Sequence, residues 1–331
     1  MRFVIVGLGS IGARHLRNLR ILYPNAQIAV LRRAVSAPVP VDGSDYVFRD
    51  LAEVIAFAPV AAFIAGPAPW HMTVATRLAN AGVHLFIEKP IAIDLASARV
   101  LLSLCRKRGL ALAVGYVMRF DPLLTKFREL VRSGAVGHAY SVRIEVGQYL
   151  PDWRPGTDYR QGVSARSELG GGVLLELSHE FDYLQWIFGM PKRVMAMGGH
   201  SGQLEIDVYD IAEVILDYGE KGPWVSIHLD MLQRQPVRRC KVVGSRGKVC
   251  WDGIAGAVDL SFEVGNLPQR FEKDALANLN QLYMAEIKNF LAIIQDGAVP
   301  ACSGEEAVLA LTLALAANQS IEQGCAVLVS N

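Results

Sequence analysis

The sequence has 331 residues, of which 52% are hydrophobic and 20% charged, and its net charge is +1. Single hydrophobic cores stop growing beyond about 250–300 residues, so this length predicts two well-packed domains, and the composition excludes an intrinsically disordered protein. The balanced charge gives no electrostatic reason to expect a nucleic-acid partner.

The first predicted elements are a strand, a glycine turn and a helix. Residues 2–6 are a short apolar run, and residues 11–22 have helical periodicity. The run is only a strand long, which indicates neither a signal peptide nor a membrane anchor. Between them lies GLGSIG, in which Gly7 permits a tight turn, Gly9 lets the backbone approach a pyrophosphate and Gly12 lets helix and strand pack closely. In this context the motif predicts dinucleotide binding rather than an ordinary glycine-rich turn.

The second predicted strand, residues 28–31, ends in Arg32 and Arg33. An NAD-binding strand usually ends in an acid that bonds the ribose 2′-hydroxyl, whereas two guanidinium groups suit a 2′-phosphate better. The sequence therefore predicts NADP as the preferred cofactor. NAD remains the alternative if the two arginines form only a solvated strand end.

Two further apolar runs, residues 61–65 and 83–87, are separated by helical patterns. Alternating strands and helices predict a doubly wound parallel sheet, a Rossmann domain over residues 1–120. The second run ends LFIEKP, and ligands of such sheets bind outside the carboxyl ends of the strands. Glu88 and Lys89 are therefore predicted to face the cofactor crevice, although lysines are more often simply exposed.

After about residue 120, strands follow one another without helices between them. Residues 140–146 and 224–231 alternate apolar with polar side chains, and three more runs follow, at residues 208–217, 237–243 and 248–251. These predict an α+β domain over residues 121–331 with a large, mostly antiparallel open sheet and one long helix at 174–188. The terminal helix is expected to pack back on the first domain. The whole chain is thus predicted to have an α/β fold.

The remaining composition bears on compartment and metal binding. The five cysteines are scattered and lack CxxC spacing, which favours a reducing cytoplasm and no metal site. The most apolar segment, residues 307–317, is shorter than the roughly 18 apolar residues that a transmembrane helix needs. We therefore expect a cytoplasmic protein with no membrane partner.

Several motifs together resemble one family. The glycine turn, Glu88-Lys89-Pro90 and a later Gly170-Gly171-Gly172…His179…Asp182 are similar to the glucose–fructose oxidoreductase/inositol dehydrogenase/MocA family. GYVMRFDP at 115–122 and Ala65-Gly66-Pro67…His71 extend the resemblance over the whole chain. The resemblance implies an NAD(P)-dependent dehydrogenase or reductase acting on CH–OH groups of sugars, cyclitols or their derivatives.

The resemblance also implies catalytic roles. Lys89 would stabilise a developing alkoxide, and His179 would take the hydroxyl proton as hydride leaves. Family members commonly carry an aspartate four residues before the histidine, where this chain has Leu175. Glu176, three residues before His179, is predicted to orient it instead, on the premise that one helical face carries both. A buried histidine with a purely structural role is the alternative.

A loop rich in Trp, Tyr and Arg precedes the histidine, and loops of this length are usually functional or disordered. Trp153 and Tyr159 suit the apolar faces of a sugar ring. The loop arginines Arg154, Arg160 and Arg166, together with Arg119, could bind a carboxylate or phosphate. An anionic, nucleotide-linked or carboxylated sugar is therefore predicted. The alternative is a solvated surface loop whose arginines pair locally with Asp152, Asp158 and Glu168.

These motifs define the predicted site. The predicted catalytic residues are Lys89, His179 and Glu176. The predicted cofactor-binding residues are Gly7, Leu8, Gly9, Ser10, Ile11, Gly12, Arg32, Arg33, Gly66, Pro67, His71, Glu88 and Lys89. The predicted substrate-binding residues are Tyr116, Arg119, Trp153, Arg154, Tyr159 and Asp182.

Two other functions and an assembly are also compatible with the sequence. A non-catalytic dinucleotide-sensing regulator is one alternative function, and a redox-neutral glycoside-cleaving enzyme with tightly bound NAD is the other. The second sheet has one face left over by the histidine helix, and exposed strands bearing Val225, Ile227, Leu229 or their counterparts would form a large apolar patch. We therefore expect a homo-oligomer, a dimer or tetramer, formed through that sheet.

Overall fold

The structure is a computed structural model that describes residues 1–32, 41–262, 267–274 and 278–329. Its first half alternates strands and helices. These elements are β1 (Arg2–Val6), α1 (Ser10–Leu22), β2 (Gln27–Leu31), β3 (Tyr46–Phe48), α2 (Leu51–Phe57), β4 (Ala61–Ile64), α3 (His71–Asn80), β5 (His84–Glu88), α4 (Leu95–Arg108) and β6 (Leu112–Gly115).

The remaining elements are mostly strands. They are α5 (Pro122–Arg132), β7 (Ala139–Gly147), α6 (Val173–Glu176), α7 (His179–Phe188), β8 (Arg193–Gly199), β9 (Ile211–Asp217), β10 (Trp224–Asp230), β11 (Val237–Gly244), β12 (Gly247–Asp252), β13 (Ala257–Phe262), β14 (Gln269–Glu272), α8 (Leu279–Asp296), α9 (Gly304–Gln323) and β15 (Val327–Leu328). None of the described helices is long and apolar enough to cross a membrane.

The chain divides into two compact units. Unit 1 comprises Met1–Phe120 and Asn278–Val308, and unit 2 comprises Asp121–Ala277 and Leu309–Asn331. Residues 278–308 thus group with the first unit, which has a physical cause. In α8, Ile287, Phe290 and Leu291 are buried in the same cluster as apolar side chains of β1, β4 and β5, and burying such side chains removes apolar surface from water.

The sheet of unit 1 confirms the predicted Rossmann architecture. Within the described residues it has six strands in the order β3-β2-β1-β4-β5-β6, and all of their pairings are parallel. Local sequence signals set the helix starts: Asp50 forms a capping box with Glu53 at α2, and Asp94 caps α4. This order makes β1, β4 and β5 neighbours, so their carboxyl ends lie side by side.

The sheet of unit 2 confirms the predicted open, mostly antiparallel sheet. Its described part has nine strands in the order β14-β13-β12-β11-β7-β10-β9-β8-β15, with only the β7–β10 pair parallel. The alternation in β10 is as predicted, but Val225, Ile227 and Leu229 are buried. The exposed face carries their alternate neighbours such as Trp224, so these three side chains do not form the expected patch and only their counterparts are available for it.

The prediction of one long helix at 174–188 is also wrong, because the structure has two helices there. α6 ends at Glu176 and α7 begins at His179, with Leu177 and Ser178 between them. Leu177 has φ −97° and ψ 31°, which departs from helical geometry. The apolar periodicity of the segment continues across the break, so the pattern alone did not show it.

Candidate functional site

The glycine turn after β1 has the geometry of an anion cradle. Gly7 adopts a φ of +87°, and a Cβ on it would lie 2.9 Å from the backbone nitrogen of Gly66. A Cβ on Gly12 would overlap the carbonyl oxygen of Gly7, whereas the space around Gly9 is open. Gly9 is the N-cap of α1 and has no side chain to cap it. The first amide groups of α1, from Ser10 and Ile11 onward, are therefore suited to an anionic ligand.

A pocket of about 360 Å³ adjoins this turn. It is lined by Val6, Gly7, Leu8, Leu31, Arg32, Ile64, Gly66, Pro67, Trp70, His71 and Val74. Six predicted cofactor residues are thus brought together, among them Arg32, while Arg33 lies outside the described residues. Sequence reasoning missed Trp70, whose side chain is largely exposed beside the pocket. Its position in the sequence between Pro67 and His71, which were both predicted to bind the cofactor, could have indicated it.

His71 links the loops that follow two neighbouring strands. Its Nε2 lies 2.7 Å from the carbonyl oxygen of Gly66, and its Nδ1 lies 3.1 Å from that of Pro90. The ring is buried, and burial lowers the pKa of His71 below its usual value. A neutral imidazole donates from one nitrogen only. His71 therefore donates to only one of these two carbonyl oxygens at a time, while its ring lines the pocket edge.

The end of β5 separates the two charges of the LFIEKP motif. The buried Glu88 carboxylate lies 2.6 Å from Nε2 of His15, over Gly115 of the neighbouring strand. Lys89 follows directly and is only half-buried. The observed bond favours an internal role for Glu88, while its predicted contact with the cofactor stays a prediction. His15 was missed, although it follows Gly12 by one helical turn.

Two predicted substrate residues of unit 1 are buried. Tyr116 has no exposed surface, and the Arg119 side chain is also fully buried. The Arg119 guanidinium lies 2.7 Å from Oε1 of Glu306 and donates to the carbonyl oxygen of Ala301 at 2.8 Å. Because Glu306 already balances its charge, the observed pairing favours a structural role for Arg119. Sequence reasoning could not find a partner so distant along the chain.

The helix break changes the expected relation between Glu176 and His179. Glu176 is the last residue of α6, and its Oε2 accepts a hydrogen bond of 2.9 Å from Ser164. His179 is the first residue of α7 and is half-buried. Since no continuous helix carries both, the shared helical face that motivated the pair is absent. Asp182 lies one turn into α7 and is fully buried, 3.5 Å from Nε2 of Gln185.

A buried ion pair fixes the start of α7, and sequence reasoning missed it. Nε of Arg238 on β11 lies 3.0 Å from Oε1 of Glu180, whose side chain has no exposed surface. The pair is a close charge contact between β11 and α7, and removing Arg238 would leave the buried Glu180 without this cation. Because Glu180 follows His179 directly, the pair also restrains the histidine backbone.

The predicted Trp- and Arg-rich loop forms a second pocket, of about 290 Å³, within unit 2. It is lined by Leu150, Trp153, Arg154, Thr157, Asp158, Tyr159, Gln161, Gly162 and Ser164. Three of the predicted substrate residues, Trp153, Arg154 and Tyr159, therefore share one cavity. Ser164 joins this cavity to Glu176 through the hydrogen bond described above.

The arginines of this loop differ in their partners. Arg160 pairs with Asp158 at 2.9 Å and with Glu205 at 3.1 Å, and Arg166 pairs with Glu168 at 2.9 Å. For these two the local pairing considered as the alternative is present. The guanidinium of Arg154 makes no ion pair with any residue in the described ranges, and it belongs to the pocket lining. Arg154 is thus the loop arginine best placed to meet an anion.

Comparisons with known proteins agree with this geometry. Residues 1–116 match the oxidoreductase family with an NAD-binding Rossmann fold, and residues 124–250 match the GFO/IDH/MocA C-terminal domain. Myo-inositol 2-dehydrogenase of Thermotoga maritima is 29% identical over 340 residues, covering 98% of this chain and 97% of the relative.

Solved structures of two dehydrogenases are also similar to this chain over its whole length. A probable dehydrogenase from Thermotoga maritima is 27% identical with a TM-score of 0.78, and 99% of each chain is covered. A putative myo-inositol dehydrogenase from Sinorhizobium meliloti is 26% identical with a TM-score of 0.75, and 100% of each chain is covered.

Proposed function

The chain belongs to the GFO/IDH/MocA family of NAD-binding oxidoreductases, which act on CH–OH groups, and from this premise we propose that Lys89 and His179 are its catalytic residues. The observation that carries the proposal is the sheet order of unit 1. It sets the glycine turn, Gly66 and Lys89 at the carboxyl ends of three neighbouring strands, which is where such sheets bind ligands.

Each proposed residue has one chemical task. A bound nicotinamide would accept or supply the hydride. The Lys89 ammonium donates hydrogen bonds to the substrate oxygen and stabilises negative charge on it. His179 holds the hydroxyl proton, taking it when the alcohol is oxidised and returning it when the ketone is reduced. Glu176 is a proposed positioning residue, acting from the end of α6 with Ser164 as its observed partner.

The cofactor cradle fits a dinucleotide, and we propose that it prefers NADP. The missing Cβ atoms of Gly7 and Gly12 permit the tight turn, and Gly9 leaves room for a pyrophosphate. Arg32 lines the adjacent pocket where an acid would otherwise meet the ribose. Trp70 offers an aromatic face at the same end, suited to stacking on a base.

The proposed substrate is a cyclitol or sugar derivative, as the names of the two inositol dehydrogenases suggest. The pocket of unit 2 supports this class, because Trp153 and Tyr159 present aromatic faces beside polar groups. The test is a screen of inositols, sugar acids and nucleotide sugars for substrate-dependent reduction of NADP or NAD. Turnover of none of them by correctly folded protein would contradict the proposal.

We further propose that the substrate is anionic and that Arg154 binds its charged group. A guanidinium supplies only donors, so it suits a carboxylate or phosphate better than a neutral hydroxyl. Arg160 and Arg166 are already neutralised by carboxylates. Among the arginines of this loop, the proposed anion contact therefore depends on Arg154 alone.

Replacing Arg154 by Ala should raise KM for an anionic sugar about tenfold or more, which corresponds to about 1.4 kcal/mol of lost binding. The KM for the matched neutral sugar should not change. Steady-state kinetics with both substrates measure this, and Arg160→Ala is the control because Arg160 is already paired with Asp158. Equal use of both sugars by wild type, or equal damage to both by Arg154→Ala, would count against an anionic substrate.

We also propose that unit 2 forms a homo-oligomer through the exposed face of its sheet. Met195, Met197, Ile215 and Trp224 are large apolar side chains on neighbouring strands β8, β9 and β10. Trp224 is 80% exposed and Met197 74% exposed. Grouped apolar side chains on a sheet face mark an interaction surface, and a second copy presents the same surface in return.

The Met197→Glu variant, alone or with Trp224→Glu, should dissociate the assembly. Light scattering should give the wild type a mass that is a multiple of 36.1 kDa and the variant a mass near that of one chain. Ile21→Glu, at an exposed apolar residue of α1, is the matched control and should not change the mass. A monomeric wild type at micromolar concentration would refute the proposed interface.

A further inference from the structure

Three titratable side chains of unit 1 meet in its interior. His15 of α1, Glu88 at the end of β5 and Glu286 of α8 each offer a ligand-type atom, and these atoms all lie within 4.8 Å of one another. His15 has no exposed surface and Glu286 is 3% exposed. His15 and Glu88 are already joined, at 2.6 Å. Glu286 makes no hydrogen bond with any described residue through either carboxyl oxygen.

The cluster contains more negative charge than its neighbours balance. Glu88 and Glu286 are both carboxyl groups, and because an ionised carboxylate only accepts, Nε2 of His15 is the donor in its 2.6 Å bond with Glu88. Arg14, the nearby cation on α1, lies over the ring of Tyr283 at 4.5 Å. Two buried carboxyl groups this close cannot both ionise without a counterion.

The other titratable groups around the cluster do not remove the excess. Burial raises the pKa of Tyr283 to about 12, and the nearby charge of Glu88 adds to that effect, so the phenol is neutral. On α3, burial lowers the pKa of His71, which is therefore neutral near pH 7. Burial, and then the charge of Glu88, raise the pKa of Glu286 well above its usual value. A proton on one of the two carboxyl groups is thus the simplest way to neutralise the excess negative charge.

We infer that Glu286 is carried as a neutral carboxylic acid whose proton is shared with Glu88, and that this bond positions the strand end bearing Lys89. The positioning of Lys89 rests on its proposed catalytic role, whereas the shared proton does not. A carboxyl rotation or one bridging water closes the short gap between the two carboxyl groups. Glu286 is a positioning residue, since it acts on Lys89 through Glu88.

The surroundings of Glu88 show why such a donor is useful. His15 holds Oε1, and Oε2 lies above Gly115, where a Cβ would come within 2.9 Å of it. The absence of a Cβ on Gly115 thus makes room for the carboxylate, His15 holds one of its oxygens, and Glu286 supplies a second donor. Because Lys89 is the next residue, rotation of the Glu88 backbone would move the lysine directly. α8 thereby links residues 278–308 to the chemistry proposed for Lys89.

The pH dependence of stability tests the shared proton without any substrate. A carboxyl group whose pKa is raised by folding stabilises the fold below its unfolded pKa, near 4.5, and loses that effect as pH rises through the folded pKa. Gln mimics the neutral acid and does not titrate. The unfolding constant of wild type, relative to Glu286→Gln, should therefore rise about tenfold per pH unit above 4.5 until the folded pKa is reached.

Controls distinguish a shared proton from a bound metal ion. Glu220→Gln changes an exposed carboxyl group. The ratio of the wild-type unfolding constant to that of this variant should not change with pH. Infrared difference spectra of wild type at pH 7 should contain a protonated-carboxyl band that is missing from Glu286→Gln. If the ratio of the wild-type unfolding constant to that of Glu286→Gln also did not change with pH, the inference would be overturned. The inference would also be overturned by a melting temperature that Zn²⁺ raises and EDTA lowers in wild type but not in Glu286→Gln, because the bridging cation would then be a metal.

Kinetics test the positioning role. Glu286→Gln should keep kcat within about twofold of wild type, whereas Glu286→Leu, which lacks a donor, should lower kcat about tenfold, the effect of one lost charge-assisted hydrogen bond. KM should change little in both variants. Equal loss in both would overturn the positioning role. If wild type turns over no substrate, the proposed function fails, while the stability and infrared results still decide the proton.

Discussion

Replacing Lys89 by Met or His179 by Ala should abolish turnover while leaving the fold intact. Met keeps the length of the lysine but removes its charge, so the developing negative charge on the substrate oxygen loses its stabilising partner. Ala removes the only proposed acceptor for the hydroxyl proton, and general acid–base catalysis alone contributes about 10²–10⁴-fold. Each variant should therefore lower kcat by about two to four orders of magnitude.

The measurement is kcat at saturating substrate and cofactor, with thermal unfolding to show that each variant is folded. Lys221→Met and His200→Ala are the matched controls, because both residues are exposed in unit 2 and neither belongs to the proposed site. Near-normal rates in Lys89→Met and His179→Ala would remove these residues from the mechanism. Cofactor binding by wild type without turnover of any substrate would instead favour the dinucleotide-sensing regulator.

A second kinetic observation distinguishes the redox-neutral alternative. A dehydrogenase releases reduced cofactor in amounts equal to the oxidised product. A glycoside-cleaving enzyme with tightly bound NAD returns the hydride to the same substrate and releases none. Accumulation of reduced cofactor in solution during turnover is the result expected here, and glycoside cleavage without it would contradict the proposed dehydrogenase reaction.

The Arg32→Asp variant should lose its preference for NADP. Arg32 follows β2 directly and lines the pocket beside the glycine turn, where a 2′-phosphate would lie. Loss of one charge-assisted contact should weaken NADP binding by about 1.5–3 kcal/mol, and the new carboxylate would also repel the phosphate. NAD binding should be unchanged or tighter, because an acid can accept from the free 2′-hydroxyl.

Dissociation constants for both cofactors, measured by titration calorimetry, test this prediction. Arg99→Asp makes the same change in net charge at an exposed residue of α4 and is the control for long-range electrostatics. Arg33→Asp tests separately the second arginine, which lies outside the described residues. Equal affinity of wild type for NAD and NADP would show that neither arginine selects the cofactor.

The cofactor-binding half of the protein was largely predictable because its signals are local. The glycine turn needs only a strand before it and a helix after it, and both are encoded within the first 22 residues. The place of Lys89 at a strand end follows from the apolar run before it. Such short-range patterns depend on backbone geometry and burial of neighbouring residues, which the sequence carries directly.

Residues that depend on distant partners were not predictable in the same way. Substrate binding by Arg119 stays a prediction, but the sequence did not indicate its ion pair with Glu306, far along the chain. Nothing local to either residue indicates the other. Glu286 and His15 were missed for the same reason, because their importance comes from burial beside Glu88.

The sequence by itself determined the parallel and antiparallel sheets, the glycine cradle and the strand end that carries Lys89, because periodicity and spacing report which side chains share a face. The family followed from the resemblance of its motifs. Only the tertiary structure decided which face is covered, where the helix before His179 breaks, and which charged groups are neutralised inside the protein. Val225 of β10 illustrates the difference, since alternation placed it on one face but packing made that face the buried one. Coverage depends on helices and strands brought together from distant parts of the chain, and their contacts are not encoded in any local pattern.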